Sequence, residues 1–166
     1  MYEQSEKYSV NMIPGKGYEV LGEWKDDVHE IRTRMLFDYE TYQVLEAEAT
    51  GISTPFGEIC QIGLDNMSKM VGQQVGPGWT GKVKELLMGK EGCIHLGEMV
   101  INSFKSGLAA SSRIIPDWVE ADDYRQRWAG WEMLYKDSCI YFAQPHAMEN
   151  LMIKVHSDLV KQNGER

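Results

Sequence analysis

The chain has 166 residues, 43% of them hydrophobic and 25% charged, which predicts one globular domain over residues 1–166 with a core of its own. Its formal net charge of −8, with no block rich in lysine and arginine, argues against nucleic acid and acidic membranes as partners. No apolar run approaches the about 20 residues that cross a bilayer, and the first ten residues lack the basic start of a secretion signal, so we expect a cytoplasmic protein.

The first third of the chain predicts strands. We expect residues 1–17 to be an irregular N-terminal segment, followed by a short strand over Tyr18–Trp24, where β-forming residues are frequent. The segments His29–Asp38 and Tyr42–Ala49 alternate with a period of two, and Asp38–Thr41 suits the hairpin between them. His29, at the start of its strand, is expected to face solvent. These patterns predict a three-stranded antiparallel meander.

Helical periodicity begins after residue 55. It predicts a helix from about residue 57 to 71, a second helix capped by Thr80 and ending at Leu87, and a longer helix over about 93–110. Farther on, the sequence indicates a helix within 122–134, a short strand over 140–142, and a C-terminal helix from Pro145 to about Lys161. The predicted fold class is therefore α+β, a small antiparallel sheet of three or more strands packed against several helices.

The segment Cys93–Glu98 places a thiol, an imidazole and a carboxylate within six residues. Residues two apart in a helix point about 200° away from each other, so Cys93 and His95 can share an ion only if the helix begins after Cys93. Glu98 lies three residues after His95 and could fix its tautomer by a hydrogen bond. Gly92, directly before Cys93, would make the required bend easy.

Cys60 and Cys93 both fall near predicted helix starts, where unpaired N–H groups and the helix dipole favour a thiolate. Cys139 falls in the predicted short strand. An odd number of cysteines in a reducing compartment argues against disulfides, which leaves ordinary packing, metal binding or redox chemistry for each thiol.

Between Met35 and Phe104 the chain resembles a bacterial family catalogued as domain of unknown function 2889. The resemblance rests on LEAEAT, on the cysteine after Gly57-Glu58-Ile59, on MVGQQVGPGW and on GCIHLGE, with KDSC near the end as a further feature. It implies membership of that family but no particular activity.

A more distant resemblance is to iron–sulfur scaffold proteins of the NifU type, and it implies a NifU/SufE-like fold. Cys60 and Cys93 would take the places of two scaffold cysteines at helix starts. The cysteine in the early strands of the scaffold has no counterpart here. The resemblance therefore implies a site made differently, from Cys60, Cys93 and His95, with Cys139 as a further ligand.

Three functions remain open from the sequence. The first is a small metal- or iron–sulfur-binding accessory protein, not a free-standing enzyme, in which Cys60, Cys93, His95 and Cys139 hold zinc or a cluster and Glu98 orients His95. The second is a metal-free interaction module or a small subunit of a larger enzyme. The third is a reactive-thiol protein. A protein partner is expected in general, and a homo-oligomer is a further expectation.

Overall fold

The computed structural model describes residues 1–114, 116–120, 122–124, 126–127, 135–147 and 149–150. The chain divides into two compact units, Met1–Ser111 and Ser112–Arg166. All the strands and helices that receive labels below belong to the first unit. That residues 1–166 form a single domain stays a prediction.

The first unit is built on an antiparallel sheet whose strands, within the described residues, follow one another in chain order. The three strands predicted from the sequence are confirmed, but the N-terminal segment is not irregular. Residues 5–13 form an additional strand that pairs with its neighbour along its whole length, from Ser5 opposite Lys25 to Ile13 opposite Gly17. The strands are β1 (Ser5–Ile13), β2 (Gly17–Lys25), β3 (Glu30–Asp38) and β4 (Val44–Ser53).

The two faces of the sheet differ as the alternation of β3 predicts. On one face Ile31, Thr33, Met35 and Phe37 are buried. On the other, Arg34 donates hydrogen bonds of 2.7 Å to Glu19 on β2 and to Glu46 on β4. Side chains alternate across a strand, so one face of the sheet meets the helices and the other carries ion pairs.

The helices differ from the predicted ones mainly at their ends. The predicted helix over 57–71 is divided into α1 (Glu58–Asp65) and a 3₁₀ turn (Asn66–Met70). The second helix, α2 (Trp79–Leu87), begins after Gly78, which has a φ of +85° and occupies the N-cap position. Thr80 lies inside the first turn, so the prediction that Thr80 caps this helix is wrong.

The longest helix, α3 (Ile94–Ser111), crosses the inner face of the sheet and packs on α2. In the described part of the chain, no helix is long and apolar enough to span a membrane. The core between the helices and the sheet contains aromatic, aliphatic and methionine side chains that are less than a tenth exposed: Val20, Trp24, Ile31, Met35, Phe37, Val44, Leu64, Met67, Met70, Trp79, Val83, Leu87, Leu96, Met99 and Val100.

In the second unit, the short strand predicted over 140–142 is wrong, because these residues form turns and Ile140 is 86% exposed. Of the helix predicted within 122–134, the described residues 122–124 and 126–127 are helical. Of the predicted C-terminal helix, residues 147, 149 and 150 are helical. Pro145 and His146, where that helix was predicted to begin, form a turn, so the helix does not begin at Pro145. The other residues of both predictions lie outside the described residues.

Candidate metal centre

The turn between β2 and β3 is held together by one carboxylate. The backbone N–H of Asp26 donates to the carbonyl of His29 (3.0 Å), which closes the hairpin. Oδ1 of Asp26 accepts the backbone N–H groups of Val28 (2.9 Å) and His29 (2.7 Å). Aspartate is favoured in turns because its side chain can satisfy backbone donors two and three residues on. The turn therefore fixes the side chain of Asp26 before any ligand is considered.

The same carboxylate orients the imidazole of His29. Nδ1 of His29 lies 3.1 Å from both Oδ1 and Oδ2 of Asp26, and the Trp24 indole N–H donates to Oδ2 at 3.4 Å. The side chains of Asp26 and His29 are only 5% and 17% exposed. An ionised carboxylate can only accept hydrogen bonds, so Nδ1 of His29 is the nitrogen that donates to Asp26, and Nε2 is the atom that a neutral His29 imidazole offers to a ligand.

His95 reaches this turn from the first turn of α3. Its ring centroid lies 4.4 Å from that of His29 and 4.8 Å from the ring of Trp24. The helix begins directly after Cys93, whose N–H donates to the carbonyl of Leu87 (2.8 Å) and whose carbonyl accepts the N–H of Gly97 (3.1 Å). Cys93 is therefore the N-cap, which meets the condition for Cys93 and His95 to face the same side.

The electrostatics of this cluster favour a neutral His95 next to an ionised Asp26. Burial alone would raise the pKa of the Asp26 carboxyl, but hydrogen bonds from the Val28 and His29 backbone, the His29 ring and the Trp24 indole hold it well below its usual value. Burial lowers the pKa of the His95 imidazole, and His29 lowers it further, while Asp26 and Glu98 oppose the shift. A neutral imidazole is the form that binds a metal ion.

These shifts predict two stages of acid destabilisation. The pKa of His95 is lower in the folded protein, so its contribution to stability is complete above about pH 6.5 and is lost as the pH falls below that value. The contribution of Asp26 is complete above about pH 4 and is lost on further acidification. Urea denaturation at a series of pH values measures both. We expect a smaller loss of stability below about pH 6.5 in His95→Gln and a smaller loss below about pH 4 in Asp26→Asn. An unchanged pH dependence in both variants would contradict this account.

In the described part of the chain, Asp26, His29 and His95 form a group of three potential metal ligands whose atoms lie within 4.8 Å of one another. Ligands of tetrahedral zinc lie about 3.3 Å apart, because each Zn–N bond is about 2.0–2.1 Å long. The separation of at most 4.8 Å between the ligand atoms exceeds this spacing by no more than about 1.5 Å. Both oxygens of Asp26 already accept hydrogen bonds, so this residue fits best as the partner that orients His29.

The predicted cysteine ligands are placed differently. Cys60 on α1 and Cys93 are half-buried, and Cys139 is exposed in a turn of the second unit. A Cβ atom built on Gly63, three residues after Cys60, would lie 3.5 Å from the Cβ of Cys93, so α1 passes close to the start of α3. Within the described residues, however, no group of three ligand atoms that meets the 4.8 Å condition includes a cysteine.

Two residues of the site differ from the sequence-based expectation. His29 was expected to face solvent, but its side chain is largely buried. The carboxylate that orients an imidazole is Asp26, acting on His29, whereas Glu98 is exposed and acts on His95 through its charge. The signal that could have identified them is the turn sequence Asp26-Asp27-Val28-His29, in which an aspartate precedes a histidine by three residues at a hairpin.

Sequence comparison places the chain in a family. A family model described as a protein of unknown function (DUF2889) matches residues 16–106, more than half of the chain, and the protein belongs to this family. The matched region contains the hairpin of Asp26 and His29 as well as the first turns of α3. No curated protein and no solved structure matches the chain.

Proposed function

We propose that this protein is a small metal-binding accessory protein in which the imidazoles of His29 and His95 hold a divalent transition metal such as zinc. Asp26 would hold His29 through Nδ1, so that Nε2 binds the metal. The remaining coordination positions would be open to water or to a ligand from a protein partner, as suits an accessory protein. The observation that carries the proposal is the convergence of Asp26, His29 and His95 within 4.8 Å.

Three features of the cluster support this function over simple packing. The carboxylate–imidazole pair is the arrangement that fixes the tautomer of metal-binding histidines in many proteins. The lowered pKa of His95 keeps its ring available as a ligand near neutral pH. Imidazole nitrogen is also a ligand type that zinc, copper, nickel and iron accept.

Metal titration of the protein without a polyhistidine tag tests the proposal. After treatment with a chelator, the protein is titrated with Zn²⁺ in a calorimeter. We expect one ion per chain, binding at least about tenfold weaker in His29→Ala and in His95→Ala, and about 10–100-fold weaker in Asp26→Asn, in line with the loss of an orienting partner. The matched control is His146→Ala, because His146 is an exposed histidine paired with Glu149 (2.9 Å) and lies in the second unit. Equal binding by all the variants, or no binding by the wild type, would overturn the proposal.

The cysteine site is a second candidate, supported by the close approach of α1 to Cys93. In this alternative Cys60 and Cys93, with His95, would hold zinc or an iron–sulfur cluster as in NifU-type scaffolds. Titration with Co²⁺ separates the two candidates, because thiolate ligands produce a sulfur-to-metal charge-transfer band and imidazoles do not. A band that disappears in Cys93→Ser would favour the cysteines, and its absence at saturating Co²⁺ would favour the histidines.

A further inference from the structure

The outer edge of β1 carries backbone groups that can pair with another strand. Within the described residues, β1 pairs only with β2, over its whole length and without a shift of register. Successive residues of an antiparallel strand direct their N–H and C=O groups to opposite sides, so every second residue of β1 directs them away from β2. Apart from the carbonyl of Ile13, which accepts the N–H of Lys16 (3.0 Å), the backbone of β1 makes no further hydrogen bond in the described part of the chain.

The opposite edge of the sheet, at β4, is obstructed. The N–H of Val44 donates to the carbonyl of Gln73 (3.0 Å), and the N–H of Gly72 donates to the carbonyl of Val44 (2.8 Å). The pairing of β4 with β3 shifts register at two places, and α1 and the 3₁₀ turn pack against β4. Covering segments and bulges prevent edge strands from pairing with other strands. The edge of β1, nine residues long and regular, has neither.

The charges of β1 permit one full-length pairing with a second copy. The strand carries one lysine and one glutamate, so it is neutral in a chain whose formal charge is −8. An antiparallel pairing about a twofold axis through Ser9 aligns all nine residues, with Lys7 opposite Asn11 of the second copy and Glu6 opposite Met12. An axis through Lys7 or through Glu6 would shorten the pairing and place like charges opposite each other, which is unfavourable.

The same register places apolar residues opposite each other on the inner face of the sheet. Tyr8 and Val10 are half-buried and pack against the border of the core. With the axis through Ser9, Tyr8 lies opposite Val10 of the second copy, and the twofold symmetry repeats this pair. Aromatic and β-branched residues are favourable cross-strand neighbours. Pairing would therefore remove apolar surface from water and continue the core from one copy to the other.

We propose that two copies of this protein associate through β1, antiparallel about a twofold axis at Ser9, and form one continuous sheet. The second copy supplies the backbone partners that the edge of β1 lacks, and its side chains meet no like charge in this register. This inference does not depend on the proposed metal site, because β1 contains none of Asp26, His29 and His95.

Sedimentation equilibrium and hydrogen exchange of the full chain, in the presence of a chelator, test the proposal. We expect the mass to rise with concentration from 19.0 kDa to twice that value. As the dimer forms, the amides of every second residue of β1 become protected from exchange, which NMR measures residue by residue. A protein that is still monomeric at about 1 mM would overturn the proposal. A dimer in which these amides exchange as fast as in the monomer would overturn it too.

Charges introduced at Ser9 test the position of the axis. Ser9 is exposed and lies opposite Ser9 of the second copy. Ser9→Lys and Ser9→Glu are each expected to dimerise about two- to fivefold more weakly than the wild type, because like charges then face each other. A mixture of the two variants is expected to form a mixed dimer more readily than either variant dimerises alone.

Two comparisons separate this pairing from a general effect of charge. Ser9→Lys reduces the formal charge of −8 by one unit, so net charge alone would make it the stronger dimer. The same pair of substitutions at Thr50, which is exposed on β4, is expected to leave dimerisation unchanged. A stronger dimer in Ser9→Lys, or equal effects at Ser9 and Thr50, would overturn the proposal.

Discussion

Replacing Gly92 with alanine is expected to destabilise the protein by about 3 kcal/mol. A Cβ atom at this position would lie 2.1 Å from the carbonyl oxygen of Leu87 and 2.8 Å from the backbone nitrogen of Met88. Both are backbone atoms, so no side-chain rotation relieves the clash. The same carbonyl accepts the N–H of Cys93 (2.8 Å), the hydrogen bond that sets the start of α3. Moving it would also displace His95 from His29.

Gly81→Ala is the matched control for this change. Gly81 lies within α2, and a Cβ atom there would meet nothing within 4 Å. Alanine is favoured over glycine in a helix, by about 0.5–1 kcal/mol in the interior and by less in the first turn, where Gly81 lies, so this variant should be as stable as the wild type or slightly more stable. Urea denaturation measures the change in unfolding free energy of each variant from the shift in its urea midpoint, provided that the dependence of the free energy on urea concentration is unchanged. A Gly92→Ala protein as stable as the Gly81→Ala protein would show that the segment before α3 can move without cost.

Gly92 also shows how far the sequence could anticipate the site. The sequence predicted a bend before His95 and attributed it to the conformational freedom of glycine. The bend is confirmed, since α3 begins at Ile94, but Gly92 does not have a positive φ. Glycine is required at position 92 because a side chain would collide with the backbone of Leu87 at the end of α2. This contact depends on how α2 ends and cannot be derived from the local sequence around Gly92.

Each strand could be predicted from the sequence to the extent that apolar and polar residues alternate along it. In β3 the buried and the charged residues alternate without exception from Ile31 to Met35, and the predicted faces are confirmed. In β1 the alternation is present too, with Tyr8 and Val10 directed inward, but Lys7, Ser9 and Asn11 make the strand polar on average. The strand lies at the edge of the sheet, where burial is partial and the hydrophobic signal is weak.

The histidine pair could not be predicted because its members are distant in the sequence. His29 is brought to His95 by the pairing of β2 with β3 and by the packing of α3 across the sheet. Local reasoning instead grouped Cys93, His95 and Glu98, which are close in the chain. The strand predicted over Ile140–Phe142 was wrong because three apolar residues are too few to distinguish a strand from exposed turns.

The orientation of α3 predicts that two nearby apolar residues differ greatly in how much stability is lost when each is replaced by alanine. Leu96 is fully buried in the core, whereas Ile94, two residues earlier, is 59% exposed. Leu96→Ala is expected to cost about 2–5 kcal/mol, because it removes buried methyl groups and leaves a cavity. Ile94→Ala is expected to cost about 0.5 kcal/mol or less, because its side chain is mostly in water already.

Urea denaturation of the two variants, with the wild type alongside, measures this contrast and fixes the orientation of His95. His95 lies between Leu96 and Ile94 in the chain, and about 100° of helix separates successive residues. If Leu96 points into the core and Ile94 points to solvent, His95 faces the β2–β3 turn, where Asp26 holds His29. Similar losses in both variants would mean that α3 is rotated, and His95 would then be directed away from His29. The difference in stability between the two alanine variants therefore tests, without any metal, the orientation of α3 on which the proposed metal site depends.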